Sequence, residues 1–415
     1  MKRNRALSAP FLRLYALTLL FFSANAMLTV IVPLRSEALG ASGGEIGLIM
    51  GAYMFTCMFF RPWAGHLVHR HGPARVLRVL LVVNGGALML YALSGLTGYL
   101  AARVLQGICT AFFSMALQMG VIDALPEEQR AQGLSMYSLF TYLPAVLGPL
   151  LAIWLWTYGG MGGFSGVIAV LALGTAALGL FMPLQMVPER MAETLPEEIR
   201  GTARDELATS WRGYLRTLGD NRALRVCGLL MLLASVVFGA VVTFVPLYAA
   251  EVTHGHAGVY LMIQAAVIVL ARLLWSGRMP SDGRWRGARI GGICLLGAAG
   301  ALLLALGAVA GPALGPPAFY AAPVLIGIAQ ALLYPTLTTY LTFALPRVTR
   351  NVGLGLFIAT ADLGIALGGM ALGPLTDIVS YSAMYAVCAL LALLAACAAW
   401  LSGRGRVPLG ASHTQ

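Results

Sequence analysis

The chain has 415 residues, of which 59% are hydrophobic and only 10% are charged. Soluble domains carry roughly 25% charged residues, and disordered chains are poor in apolar residues, so both classes are excluded. We predict an all-α integral membrane protein embedded in a lipid bilayer. The net charge of +11 is then interpreted as the basic cytoplasmic side of a membrane protein, not as a nucleic-acid-binding surface.

Apolar runs of about 20 residues, the length that crosses a bilayer as a helix, recur along the whole chain. They do not alternate with a period of two, which favours helices over strands. We predict twelve transmembrane helices in two six-helix pseudo-symmetric bundles, 1–185 and 223–415, joined by a cytoplasmic linker, 186–222. The predicted spans are 11–35, 45–66, 75–94, 98–124, 132–157, 163–185, 223–250, 257–276, 288–310, 318–344, 351–375 and 381–402.

Basic residues are distributed asymmetrically about these spans. With both termini in the cytoplasm, Arg61, Arg103 and Arg272 are counted as lying within spans and Arg35 as lying on the outer side of the membrane. The other 23 of the 27 basic residues lie on the cytoplasmic side. The positive-inside rule predicts this distribution. We therefore expect a multi-pass protein of the bacterial cell membrane with both termini cytoplasmic.

The segment after the second span combines glycines with basic residues, at Gly65, His69, Arg70, Gly72 and Arg75. Glycines permit turns and close backbone approach, and arginines suit helix C-termini. The pattern resembles the signature loop of the major facilitator superfamily, which packs the second helix against the eleventh and steadies one conformation. His69 stands where that family has an acid, and because histidine titrates near neutrality, the resemblance implies an altered or pH-sensitive latch.

The fourth and fifth spans carry two further features of that family. An arginine within a span costs roughly 2.5–3.5 kcal/mol on insertion scales, so Arg103 should face the protein interior or a water-filled cavity; the alternative is snorkelling to the outer interface. It resembles the fourth-helix arginine that such exporters use for proton coupling or substrate contact. Gly148 and Pro149 resemble the exporters' antiporter motif, which implies that they bend the fifth helix.

The second half of the chain repeats the first, an organisation typical of secondary transporters. Most matches share an offset of 220 residues, and a smaller offset relates Arg61 to Arg272. The matched segments include Val104-Leu105 with Val324-Leu325, Ala124-Leu125-Pro126 with Ala344-Leu345-Pro346, and Gly148 with Gly368. Arg61 and Arg272 both lie near cytoplasmic span ends, where snorkelling explains them, and we expect structural roles for both.

Uncharged polar residues occupy mid-membrane positions in several spans. In the superfamily the first, fourth, seventh and tenth helices line the cavity, which implies that Asn25, Gln106, Gln330 and Tyr334, together with Arg103, contact substrate. Hydrogen bonds between helices are the alternative for each of the uncharged four.

Asp362, in the eleventh span, is a carboxylate roughly 16 Å from the inner end at 1.5 Å per residue. Such depth suits a group that gains and loses a proton during transport, and we assign proton coupling to Asp362 with Arg103. An ion pair with an arginine is the alternative. The histidines and six cysteines show no metal-ligand spacing, so we expect no metal site and no cofactor.

The resemblance implies a secondary transporter that exports a small molecule by proton antiport with alternating access, as a monomer. Stretches such as 11–15, 33–37 and 136–138 are similar to exporters of staphylopine-type opine metallophores, which carry amino-carboxylate chelators. Arg103, with no acid in the first span, favours an anionic or zwitterionic substrate. The alternatives are an uptake symporter or a multidrug exporter on the same fold, a membrane-embedded transferase and a nontransporting receptor. The absence of a Walker motif argues against ATP as the energy source.

Overall fold

The computed structural model describes residues 8–93, 95–125, 127–181, 221–275, 283–345 and 350–402. Within these ranges the chain is helical and contains no strand, which confirms the predicted all-α class. The predicted linker 186–222 lies outside the described residues except at its last two positions.

Twelve long helices, α1 to α12, make up the described residues. A π-helical turn, Leu155–Gly159, separates the fifth from the sixth, and a short helix, Gly373–Ile378, precedes the last. The twelve are α1 Ala9–Ala38, α2 Gly43–His71, α3 Pro73–Leu93, α4 Leu96–Ala124, α5 Glu127–Trp154, α6 Gly160–Phe181, α7 Arg222–Tyr248, α8 Ala257–Trp275, α9 Gly287–Gly307, α10 Gly311–Ala344, α11 Arg350–Met370 and α12 Tyr381–Ser402.

Eleven stretches of the described chain are long and apolar enough to cross a membrane, and one of them is a double crossing. Met136–Leu178 holds 43 residues, about 65 Å of helix, which is twice the hydrocarbon thickness. It comprises most of α5, the π-helical turn and most of α6. Ala152 and Phe164, on either side of the turn, pack in one core cluster, whereas Tyr137 and Leu178 pack together in another. The chain therefore crosses and returns, as the twelve-span prediction requires.

The segment predicted as a loop after the second span is mostly helical. Helix α2 continues through Gly65 and Arg70 to His71, and α3 begins at Pro73. The turn is thus confined to Gly72, whose φ of 79° is a conformation that glycine adopts without steric cost. The predicted loop was too long because no residue before Gly72 breaks the helix.

The hydrophobic core differs between the two ends of the bundle. At the near end, where α1 begins and α12 ends, one cluster is built from α1 to α6 and a separate one from α7 and α9 to α12. At the far end a single cluster joins both halves, with Ile46 and Phe164 from the first half and Phe244 and Tyr385 from the second. Among the described residues, the halves share this large apolar core at the far end, whereas towards the near end a small cluster joins them, in which Tyr142 of α5 packs against Ile268 and Ala271 of α8.

The halves contact each other most extensively through two helix pairs, α2 with α11 and α5 with α8, and smaller contacts join α1 to α7 and the short helix Gly373–Ile378 to α2. At the far end α2 and α11 touch through glycines: a Cβ built on Gly47 would collide with the carbonyl oxygen of Gly369, and one on Gly369 would lie 3.0 Å from the Gly47 carbonyl oxygen. In the other pair, a Cβ on Gly258 of α8 would lie 3.2 Å from Leu150 Cα of α5. Both pairs are thus in close backbone contact at the far end.

Candidate functional site

Two adjoining chambers lie below the far-end core. The central chamber, of about 220 Å³, is enclosed between the halves by α1, α2, α4 and α5 on one side and α7, α8 and α11 on the other. The C-half chamber, of about 210 Å³, is enclosed mainly by α7 to α12. Tyr142, Phe238 and Ile365 line both, so the chambers are neighbours, and together they fall within the roughly 300–1,000 Å³ of small-molecule sites.

Arg103 lies in the wall of the central chamber and is only 1% exposed. Its Nη2 donates to the Leu28 carbonyl at 2.9 Å and lies 3.2 Å from Met50 Sδ, while its Nη1 is 3.4 Å from Asn25 Oδ1. The ring of Tyr53 lies 5.6 Å from its guanidinium carbon. Within the described chain no carboxylate pairs with this side chain, and its buried Nε has no acceptor.

Asp362 is held in an ion pair that connects the two halves. Its Oδ2 accepts a hydrogen bond from Nε of Arg61, across the α11–α2 contact. The Asp362 side chain is 8% exposed and that of Arg61 23% exposed. Arg61 therefore does not simply snorkel to the interface, since a partner on the other half neutralises its charge. Asp362 itself does not line either chamber, although its neighbours Ala361 and Ile365 do.

The uncharged polar candidates divide between the chambers and the helix contacts. Asn25 lines the central chamber, and Gln330 and Tyr334 line the C-half chamber. Gln330 Oε1 accepts from Gln264 Nε2 at 3.2 Å. Gln106 lines neither chamber, and its Oε1 accepts a 2.7 Å hydrogen bond from Tyr91, which ties α4 to α3.

Gly148 and Pro149 lie in α5 where it borders α1 and the central chamber. A Cβ on Gly148 would lie 2.7 Å from the Cβ of Ala26, so this glycine permits the close α5–α1 contact. Pro149 lines the chamber.

The candidate loop residues lie at the near end, away from both chambers. A Cβ on Gly65 would lie 3.3 Å from Met115 Cε of α4, so Gly65 faces the first half rather than α11. The side chains of Arg70 and Arg75 are exposed.

Sequence reasoning missed two contacts between the halves. The guanidinium carbon of Arg272 lies 4.5 Å from the ring centroid of Tyr142. Asp377, just before α12, accepts hydrogen bonds from the backbone N–H groups of Gly43 and Gly44 at 2.7 and 2.9 Å. The repeat held a signal for the first contact, because position 142 matches position 362 at the offset of 220. We find no such signal for the second.

Comparison with known proteins agrees with this architecture. The chain is 46% identical over 390 residues to the staphylopine export protein of Staphylococcus aureus (strain Mu50 / ATCC 700699), covering 94% of this chain and 95% of the relative. Among solved structures, a bacterial homologue of the human lysosomal transporter Spinster, in an inward-facing and unoccupied conformation, superposes with a TM-score of 0.73 at 16% identity, covering 97% of this chain and 98% of the other. The nucleoside transporter NupG superposes with a TM-score of 0.72 at 15% identity, covering 96% and 100%.

This chain thus shares the fold of the two solved structures, although its sequence differs from theirs at most positions. A family model described as Major Facilitator Superfamily matches residues 14–315, which includes the first half from residue 14 onward and both α2 and α8, the helices that carry Arg61 and Arg272. The twelve crossings, the two related halves and the central chamber agree with this match. The chain belongs to the Major Facilitator Superfamily of membrane transporters.

Proposed function

We propose that this transporter exports a small zwitterionic or anionic molecule of the opine-metallophore class in exchange for protons. The observation that carries the proposal is Arg103, a buried guanidinium in the chamber wall without a carboxylate partner among the described residues. A guanidinium binds a carboxylate through two parallel hydrogen bonds, and the buried Nε of Arg103 has no acceptor among the described residues. A substrate carboxylate supplies the missing counter-charge.

The relative named staphylopine export protein supports the class of substrate. The alignment with it runs through nearly the full length of both chains, so it includes the helices that line both chambers. Opine metallophores are amino-carboxylate chelators, and a molecule with several carboxylates complements an arginine-bearing cavity.

The ion pair between Asp362 and Arg61 offers a route for proton coupling. It joins α11 to α2 across the halves, and separating two desolvated charges is costly. A proton on Asp362 neutralises the acid and weakens the contact with Arg61. Protonation therefore favours movement of α2 and α11 relative to each other at the near end. Asp362 is the proton site in this proposal, and Arg103 couples through the substrate.

The orientation follows from the basic residues. With both termini in the cytoplasm of a bacterial cell, the near end faces inward and the far-end core closes the path to the outside. This arrangement is ready to accept cargo from the cytoplasm, and the opposite arrangement of alternating access releases it outside. The central chamber lies between the two halves of a single chain, so one chain supplies both sides of the path, and we propose that the monomer is the working unit.

Transport by the purified protein in proteoliposomes tests the function. With an acidic lumen, an antiporter accumulates radiolabelled staphylopine, whereas an uptake symporter requires the opposite gradient. The lipophilic cation tetraphenylphosphonium serves as the competing cargo, because a multidrug exporter accumulates it instead. Absence of gradient-dependent flux of staphylopine overturns the proposal.

Variants of the two charged residues test their roles in the same assay. We expect Arg103→Gln to lower staphylopine flux at least tenfold, and Arg78→Gln, at an exposed position of α3, to leave flux unchanged. We expect Asp362→Asn to abolish accumulation driven by the pH gradient while exchange of labelled for unlabelled staphylopine continues. Gradient-driven accumulation by Asp362→Asn would show that the proton binds elsewhere.

A further inference from the structure

The two helix pairs that make the largest contacts between the halves, α2–α11 and α8–α5, are equivalent under the internal repeat, yet their charged contacts differ. The α2–α11 pair joins Arg61 to Asp362. The α8–α5 pair places Arg272, the counterpart of Arg61, over Tyr142, which is the counterpart of Asp362 at the offset of 220. The same contact is thus built twice, once with an acid and once with an aromatic ring.

Replacement of the acid by a ring leaves Arg272 without a counter-charge. No carboxylate pairs with it in the described ranges, and its buried Nε has no hydrogen-bond partner there. The guanidinium carbon of Arg272 lies over the Tyr142 ring, 4.5 Å from its centroid. A ring attracts the cation through its π face but supplies no carboxylate oxygens to the five N–H donors of the guanidinium, so the contact leaves donor capacity for an anionic ligand.

Arg272 also lies where a ligand can reach it. It lines the C-half chamber together with Gln330 and Tyr334. Arg103 lines the central chamber, and Tyr142 belongs to the walls of both. One aromatic residue therefore lies between two chambers, each with a guanidinium that has no carboxylate partner within the described chain.

We propose that Arg272 is a second anion-binding residue, which takes one carboxylate of the exported molecule while Arg103 takes another. The inference rests on the proposed function and makes it more specific, since the preferred cargo is then a molecule with at least two separated carboxylates. Tyr142 determines this specificity, because its ring holds the guanidinium without neutralising it. The cargo occupies the place that Asp362 holds at the equivalent contact.

A pair of variants of equal size at position 142 separates charge from shape. Tyr142→Asp and Tyr142→Asn both remove the ring, and only the first supplies an acid that can pair with Arg272. We expect the KM for staphylopine to rise at least tenfold more in Tyr142→Asp than in Tyr142→Asn. In the Arg272→Gln background this difference should disappear, because the introduced acid has lost its partner. Equal KM values in the two single variants overturn the inference.

The cargo offers an independent readout. Each monomethyl ester of staphylopine lacks one carboxylate charge. We expect the wild type to bind the ester of the carboxylate that contacts Arg272 at least tenfold more weakly than the free acid. In Arg272→Gln the same esterification should cost no more than twofold. If each monoester loses as much affinity for Arg272→Gln as for the wild type, Arg272 does not bind a carboxylate of the cargo.

Separate measurements report whether the variants fold and whether the proposed function itself holds. Thermal unfolding in detergent reports whether Tyr142→Asp folds. If it does not fold, Arg272→Lys and Arg272→Gln provide the test. A larger increase in KM for Arg272→Gln than for Arg272→Lys supports an anion site, and unchanged KM values for both variants overturn it. If Arg103→Gln loses flux while the Arg272 variants transport staphylopine normally, the second subsite is overturned and the proposed function is not. Absence of flux in the wild type removes the proposed function itself.

Discussion

Three arginines within the spans illustrate three ways to keep a positive charge inside a membrane protein. Arg61 has a carboxylate partner, Arg103 has a carbonyl, a thioether and an amide, and Arg272 has an aromatic ring. Removal of one partner of a buried pair costs about 3–5 kcal/mol, because the other charge is left uncompensated. Among the described residues, an internal counter-charge is found for Arg61 and not for the other two.

We expect the Arg61–Asp362 pair to show strong coupling in a double-mutant cycle. Arg61→Gln leaves a buried acid unpaired, Asp362→Asn leaves an arginine unpaired, and the double variant leaves neither. Since Arg61 is 23% exposed, each single substitution should cost less than the roughly 3–5 kcal/mol of a fully buried pair. The measurement is Tm in detergent, and the double variant should be more stable than Arg61→Gln alone. Additive losses would show that the pair contributes no coupling.

The sequence could show that a carboxylate at Asp362 is energetically costly within a span, but it could not identify the residue with which Asp362 pairs. Its depth in the eleventh span follows from counting residues, whereas its partner lies 301 positions away on the other half. Pairing over that distance depends on how the two halves dock, which no local pattern encodes. Gln106 shows the same limit, since its polarity within a span was visible but its bond to Tyr91 depends on the packing of α3 against α4.

The span count was the feature most accessible to sequence, and helix ends were the least. Apolar length and the asymmetry of basic residues predict crossings because the bilayer imposes both. Ends depend on local backbone chemistry: α10 begins at Gly311, seven residues before its predicted start, because Pro312 suits the first turn of a helix. The glycines that seal α2 against α11 could not be distinguished from other membrane glycines before the helices were docked.

We expect the Gly47 contact to be required for closure of the far end. Leucine at this position of α2 would collide with α11 at Gly369, while each half keeps its own near-end core. In a variant with exposed Cys397 replaced by serine, a cysteine in place of Thr29, which lines the central chamber, reports access. Gly47→Leu should increase its labelling by a membrane-impermeant maleimide from the far side at least tenfold and should stop transport.

Gly86→Leu is the matched control for that experiment, because Gly86 is exposed and has no atom within 4 Å of a built Cβ. It should leave both labelling and transport unchanged. If Gly47→Leu transports normally, close approach of α2 and α11 is not part of the cycle.

At the scale of the whole molecule, the far end is closed by apolar packing and by a polar contact that Asp377 makes. The N-terminus of α2 already has its own cap, since Ser42 and Glu45 form a capping box. Asp377 from the second half adds acceptors for the amides of Gly43 and Gly44, which that box leaves free. A negative charge at a helix N-terminus is also favoured by the helix dipole. One carboxylate thus links the second half to the start of a helix in the first.

We expect Asp377→Ala to shift the transporter away from its far-end-closed arrangement. Loss of an N-terminal capping acceptor costs about 0.5–2 kcal/mol, and 1.4 kcal/mol is a factor of ten in an equilibrium, so far-side labelling of the Thr29→Cys reporter should increase by about two- to thirtyfold. Ser42→Ala is the control, because it removes a cap of similar strength that lies within one half. It should lower Tm but leave labelling as in the parent. Because both substitutions weaken the same helix end, equal labelling of the two variants would mean that Asp377 only stabilises α2 and does not hold the halves together.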